Sequence, residues 1–275
     1  MEYTEMNNKH KALIGVGALV LIFLIFAIWY MATHQAPAPV GPVIATSTPV
    51  TTSSSTQTIT DNSQYYEIKA TYPASTLLKQ TTSERADTEA VSIMKTFVEQ
   101  EIARFKDNGN FANLTQEDIQ IQGLGNGRKY TLDAEYQTYQ GKHTVSYVYT
   151  INLDTLGAHG NSYYRVFTFD TAAGQSLELD DLFVSNSGYL EKLSNISRVD
   201  LPGVISAKFG ESPDMEDIKS GTTADAENFQ SWYIEGTNLV LIFPPYQVGP
   251  YTIGTTLLPI QLSRLGDMLK ATYVP

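Results

Sequence analysis

The sequence predicts an α+β fold, a mostly antiparallel sheet with packed helices, preceded by one transmembrane helix. Three observations carry that expectation. An uncharged apolar run, Ala12 to Ala32, stands near the start of the chain. One amphipathic helix pattern, Glu84 to Asp107, is followed by a series of alternating strand-like segments. Those segments outnumber the helices and follow one another closely, which favours local antiparallel pairing.

The apolar run is long enough to cross a hydrocarbon core of about 30 Å as a helix. Trp29 and Tyr30 lie at its far end, where amphipathic rings favour the interface. Lys9 and Lys11 lie directly before it, and no charged residue follows until Asp61. The positive-inside bias therefore places Met1–Lys11 in the cytoplasm and Thr33 onward outside. A cleaved signal peptide would have an apolar region of about 7–15 residues, shorter than this one.

Thr33 to Ser63 is rich in Thr, Ser and Pro and carries too little apolar surface to offset its ordering entropy. It is expected to form an extended linker. Two folded units are expected after it, an N-terminal α+β unit at 64–160 and a C-terminal one at 161–275.

Within the first unit, Gln64 to Pro73 reads as a strand ended by its proline. Ala90, Ile93, Met94, Phe97, Val98, Ile102 and Phe105 make the buried stripe of the helix, which Asn108-Gly109 stops. Tyr130–Tyr139, His143–Asp154 and Ser162–Asp170 alternate as an antiparallel meander rich in tyrosine, a residue suited to half-buried sheets. A helix is expected from about Tyr189 to Ser197 and another after Pro202. Gly210–Asn228, acidic and without periodicity, reads as a solvated loop. A hairpin over Phe229–Phe243, a strand at Thr255–Ile260 and a closing helix at Leu262–Leu269 complete the expectation.

Composition excludes several chemistries. There are no cysteines, hence no disulfide, thiolate nucleophile or Cys-based metal centre. The formal net charge of -11 argues against nucleic acid and is compatible with a basic partner. Of the four histidines, only His143 and His159 fall in the folded part, with no metal-ligand spacing between them. The glycines of Gly123–Gly127 precede a strand rather than a helix and lack the lysine of a phosphate loop. Asp180-Asp181 would point to opposite faces of a strand. No catalytic residue, metal site or cofactor is assigned. An uncharacterised hydrolase or deacetylase using His159 with Asp180 or Asp181, and a purely structural envelope protein, are the alternatives.

Two segments carry a family resemblance. The first comprises Gly157-Ala158-His159-Gly160, Phe167-Thr168-Phe169-Asp170, then Gly174 and Leu177-Glu178-Leu179-Asp180-Asp181-Leu182-Phe183. The second is Pro244-Pro245-Tyr246-Gln247-Val248-Gly249-Pro250-Tyr251. Together they resemble the extracytoplasmic domain shared by the lysozyme-sensing anti-sigma factor RsiV and the peptidoglycan deacetylase PdaC. Nothing in the sequence matches a deacetylase catalytic domain, and Met1–Lys11 is too short to hold a sigma-binding domain. The resemblance therefore implies a non-catalytic binding or sensory module of the bacterial envelope. Its partner would be cell-wall glycan or a basic lysozyme-like protein. His159, Tyr163, Trp232, Tyr233, Tyr246 and Tyr251 are the expected ligand-binding residues. Asp214, Glu216 and Asp217 are expected to steer a cationic partner.

Overall fold

The computed structural model describes residues 55–210 and 212–274. The apolar run and most of the linker lie outside them, and among the described residues no helix is long and apolar enough to cross a membrane.

Six strands form the first sheet in chain order: β1 (Thr56–Asn62), β2 (Tyr66–Pro73), β3 (Tyr130–Gln140), β4 (Thr144–Asp154), β5 (Asn161–Asp170) and the two-residue β6 (Ser176–Leu177). Between β2 and β3 the chain passes through α1 (Leu78–Thr81), α2 (Glu84–Gly109) and α3 (Gln116–Gln122). That crossover makes β2 and β3 a parallel pair within a sheet otherwise antiparallel, so the sheet is mixed.

The long helix forms where its stripe predicts. Ser83 caps its start by accepting the Ala86 N–H, and Asn110, at φ 47°, ends it in a left-handed turn. Ala90, Met94, Val98 and Phe105 are buried against Ile68, Leu132, Val145, Tyr147, Tyr149 and Ile151 of the sheet. Each such large apolar side chain contributes about 1.5–3 kcal/mol by leaving water.

The second sheet has the order β7 (Trp232–Glu235), β8 (Asn238–Phe243), β9 (Thr256–Gln261), all antiparallel. Trp232, Ile234, Leu239, Leu241 and Phe243 face a core shared with α4 (Tyr189–Phe209). Tyr233, Val240 and Ile242 turn the other way and meet Val148, Tyr139, Tyr164 and Val166 of the first sheet. The period-two alternation thus gives four layers, helix–sheet–sheet–helix. At the joint Gly236 N–H donates to Gln140 O at 2.8 Å. A Cβ on Gly141 would lie 2.5 Å from Ile234 Cγ2 and 2.6 Å from Thr144 Oγ1, so only glycine lets the layers close there.

Several expectations need correction. The linker does not extend to residue 63, because Thr56–Asn62 is a strand with seven partners in β2. The boundary at 160/161 falls between β4 and β5, which pair over ten residues. Both sheets lie in one compact unit. The two helices expected around Pro202 are one: burial of Leu193, Ile196, Leu201, Val204 and Ile205 outweighs a proline penalty of about 3 kcal/mol. The acidic stretch holds α5 (Met215–Gly221), anchored by the fully buried Ile218. Short 3-10 turns replace the closing helix.

Candidate functional site

The hairpin turn between β4 and β5 meets the loop after β8 at the surface. Asp154 Oδ1 accepts the Leu156 N–H at 2.8 Å, and Leu156 takes φ 60°, which sets the turn that carries His159. His159 Nδ1 lies 2.8 Å from Gly160 O. A carbonyl only accepts, so that nitrogen carries the proton. Tyr251 donates its hydroxyl to the same carbonyl at 2.9 Å. The His159 and Tyr251 rings stack with centroids 4.0 Å apart, inclined by 22°. Tyr246 follows at 5.4 Å from Tyr251.

The loop carrying both tyrosines is braced on two sides. Gln247 Nε2 donates to Gly221 O and Asn228 O, each at 2.9 Å. A Cβ on Gly221 would fall 1.8 Å from Gln247 O, so this contact requires glycine. Lys208, in the last turn of α4, donates to Thr255 O at 2.8 Å, and Thr255 Oγ1 meets Tyr164 Oη at 3.0 Å. Pro250 opens the 3-10 turn Tyr251–Ile253. Held this way, Tyr246 sits at φ 72° and is 65% exposed. A tyrosine costs about 1–2 kcal/mol in that left-handed conformation.

Three of the six expected ligand-binding residues therefore come together: His159, Tyr246 and Tyr251. The other three do not join them. Trp232 and Tyr233 are 3% exposed, Trp232 facing the α4 core and Tyr233 stacked on Tyr139 at 4.1 Å between the sheets. Their strand position puts each in a different apolar layer. Tyr163 faces α2 and bonds Glu101, whose carboxylate also accepts from Arg104. Burial and that carboxylate raise the Tyr163 hydroxyl pKa well above the ordinary tyrosine value.

Much of the resemblance segments is internal framework. Leu179, Leu182 and Phe183 are core residues. Asp170 accepts from Ala172 and Ala173 N–H and from the Tyr273 hydroxyl, which pins the last turn to the sheet. Asp181 Oδ2 accepts the Glu178 N–H in a capping box. No hydrogen bond or ion pair joins His159 to Asp180 or Asp181.

The steering residues are exposed but partly engaged. Asp214 caps α5 by accepting the Glu216 N–H at 2.8 Å, and Glu216 pairs with Lys219 at 2.5 Å. Among the described residues no group of three or more His, Asp or Glu side chains is gathered to hold a metal ion.

A larger concavity of about 1110 Å³ runs between α2 and β5, floored by Phe97, Phe167 and Arg165. Sequence reading missed it because its walls come from two elements whose approach no spacing reveals.

The arrangement is a two-sheet α+β domain with an exposed aromatic cluster. Residues 180–263 match a family described as "Protein of unknown function (DUF3298)". That segment spans the three-stranded sheet and the helices packed on it. The chain is 28% identical over 186 residues to the peptidoglycan-N-acetylmuramic acid deacetylase PdaC of Bacillus subtilis, 66% of this chain and 37% of that protein. It thus spans little more than a third of that relative. A crystal structure of a DUF3298 family member from Bacteroides fragilis superposes with TM-score 0.50 at 19% identity, covering 79% of this chain and 94% of that one. At that identity the likeness is one of fold.

Proposed function

We propose that this chain is a non-catalytic binding module of the bacterial cell envelope that presents His159, Tyr251 and Tyr246 to cell-wall glycan. Ala12–Ala32 would anchor it, with the domain outside the cytoplasm. The observation that carries the reading is Tyr246: a large aromatic side chain held at positive φ and left mostly in water. Backbone strain that local contacts do not repay belongs with recognition. Stacked rings with polar edges suit a sugar, whose faces are apolar and whose rim is hydroxylated. The similarity to a protein named as a peptidoglycan deacetylase supports the wall as the place where such a module works.

The test is sedimentation of the full chain, in detergent micelles, with purified peptidoglycan. Tyr246→Ala and Tyr251→Ala should each lower the bound fraction at least about fivefold, roughly 1 kcal/mol, with melting unchanged for Tyr246→Ala. Wild-type protein left in the supernatant would sink the reading. A second reading, a basic lysozyme-like protein as partner, is favoured by Asp214, Glu216 and Asp217 on α5, which Gln247 links to the aromatic loop. Association with lysozyme that slows with added salt and with Asp217→Asn would support it.

A further inference from the structure

The first sheet has a free edge beside the groove on α2. β6 pairs only with Thr168 and Phe169, so among the described residues β5 has no neighbour on that side from Asn161 to Phe167. Asp170 N–H donates toward Gln175 O at 2.9 Å, which fixes the sense of the strand. Backbone groups alternate along a strand, so Ser162, Tyr164 and Val166 turn their N–H and C=O outward, away from β4. No hydrogen bond from the described residues reaches those groups. The side chains of Tyr163, Arg165 and Phe167 point to the groove face. The Arg165 guanidinium lies over the Phe167 ring, 5.0 Å from its centre, and among the described residues it makes no ion pair.

We propose that the free edge of β5 takes up an extended polypeptide strand. An apolar side chain of that strand would pack over Phe97 and Phe167, and a carboxylate two residues away would face Arg165.

The opposite edge of the same sheet displays this chemistry within the chain. There β1 is the outer strand, Ile59 packs with the core under α2, and Asp61, two residues on and on the same face, pairs with Lys106 of the helix. On the β5 side the helix lines the groove with Arg85 and Arg104 beside Glu84, Glu89 and Glu101, and Glu101 pairs with Arg104, which leaves Arg165 of the sheet, over the Phe167 floor, as the cation for a partner strand. Adding one would supply outward-facing backbone groups with partners, the usual source of affinity when a peptide extends a sheet. A residue directly opposite Arg165 would stand about 5 Å away, where opposite charge is favourable and like charge is not. Arg165 thus also discourages indiscriminate edge pairing, which selects for an acidic partner. A second copy does not supply the strand from its own β1, because those seven residues are already paired with β2.

The probe is a fluorescein-labelled peptide of sequence Thr-Gln-Thr-Ile-Thr-Asp-Asn, titrated by anisotropy against the full chain in detergent micelles. Val166→Pro removes one outward N–H and leaves the ladder to β4 intact, since proline is tolerated on the solvent side of an edge strand. It should weaken binding at least about tenfold, as should N-methylation of the peptide isoleucine or its neighbour against wild-type protein. The peptide experiment keeps the test valid if the proline variant does not fold. Arg165→Glu should weaken binding at least about fivefold, and a peptide with Lys in place of Asp should regain it. Absence of saturable binding up to about 1 mM overturns the proposal, as does affinity indifferent to both the backbone and the charge changes. A chitin oligosaccharide that displaces the peptide by shielding Phe97 and Phe167 would assign the groove to glycan and overturn it equally.

Discussion

Tyr149 lies wholly buried in the six-stranded sheet, its ring against Phe97, Tyr136 and Phe167, while Tyr246 stands 65% exposed on the loop after β8. Each carries an unfavourable feature. The Tyr149 hydroxyl is buried with no hydrogen-bond partner among the described residues, and burial raises its pKa far above the ordinary tyrosine value. Tyr246 holds its backbone at φ 72°. In the first case three aromatic neighbours offset the cost on the spot. In the second one ring, Tyr251, lies beside Tyr246 at 5.4 Å and the side chain stays mostly in water, so the local offset is smaller. One residue type therefore serves packing in the sheet and, on the function proposed above, recognition in the loop, and stability measurements separate the two.

The sharpest separation comes from truncation. Tyr149→Ala should lower unfolding free energy by about 3–5 kcal/mol in denaturant titrations, whereas Tyr149→Phe, which deletes only the unpartnered hydroxyl, should be near neutral or slightly stabilising. A large loss from Tyr149→Phe would mean that the hydroxyl has a partner and would weaken the contrast. Next, Gln247→Ala removes two hydrogen bonds that brace the loop and should cost about 1–3 kcal/mol while also reducing peptidoglycan binding. Stability lost with binding intact would detach the brace from the site. Tyr246→Gly should be stabilising by about 1 kcal/mol, since glycine accepts the left-handed conformation, yet it should bind the wall more weakly. Destabilisation by that change would dissolve the contrast.

The smallest effect is confined to alkaline solution. Burial pushes the Tyr147 hydroxyl up to about 12, and burial together with Asp170 pushes Tyr273 up to about 12. A raised folded-state value favours the protonated form in the folded protein, so the stability these groups contribute is complete below the unfolded value near 10 and is lost as pH rises toward 12. Melting temperature should be flat around these groups below pH 10 and fall above it. The Tyr273→Phe variant should show a shallower fall.

The sequence made the interior legible and hid the meeting points. Alternation located β3–β5 and β7–β9, and the stripe from Ala90 to Phe105 located α2, because one buried face imposes a period. β1 escaped because Thr and other polar residues dominate it, although Thr56, Thr58 and Thr60 are β-formers and Ile59 alone reaches the core. A single anchor, Ile218, likewise left α5 without visible periodicity. The parallel register of β2 and β3 follows from the crossover, which strand patterns do not encode. For the site, residue type and the segments they sit in single out His159, Tyr246 and Tyr251, but the contact between the two loops spans more than 90 positions of chain. Trp232 and Tyr233 are of the same type, and only the layer order places them inside.

The outer position of β1 bears on how the chain can be divided. A fragment trimmed at residue 64 would lose all seven rungs to β2 and the Asp61–Lys106 pair. It would bare the β2 edge next to Ile68 and Ala70, both fully buried in the intact protein. Such an edge pairs with whatever strand is available, including its own kind. The stretch that looks like the end of a tether is thus the sheet's seal, and shortening it would trade reach for self-association.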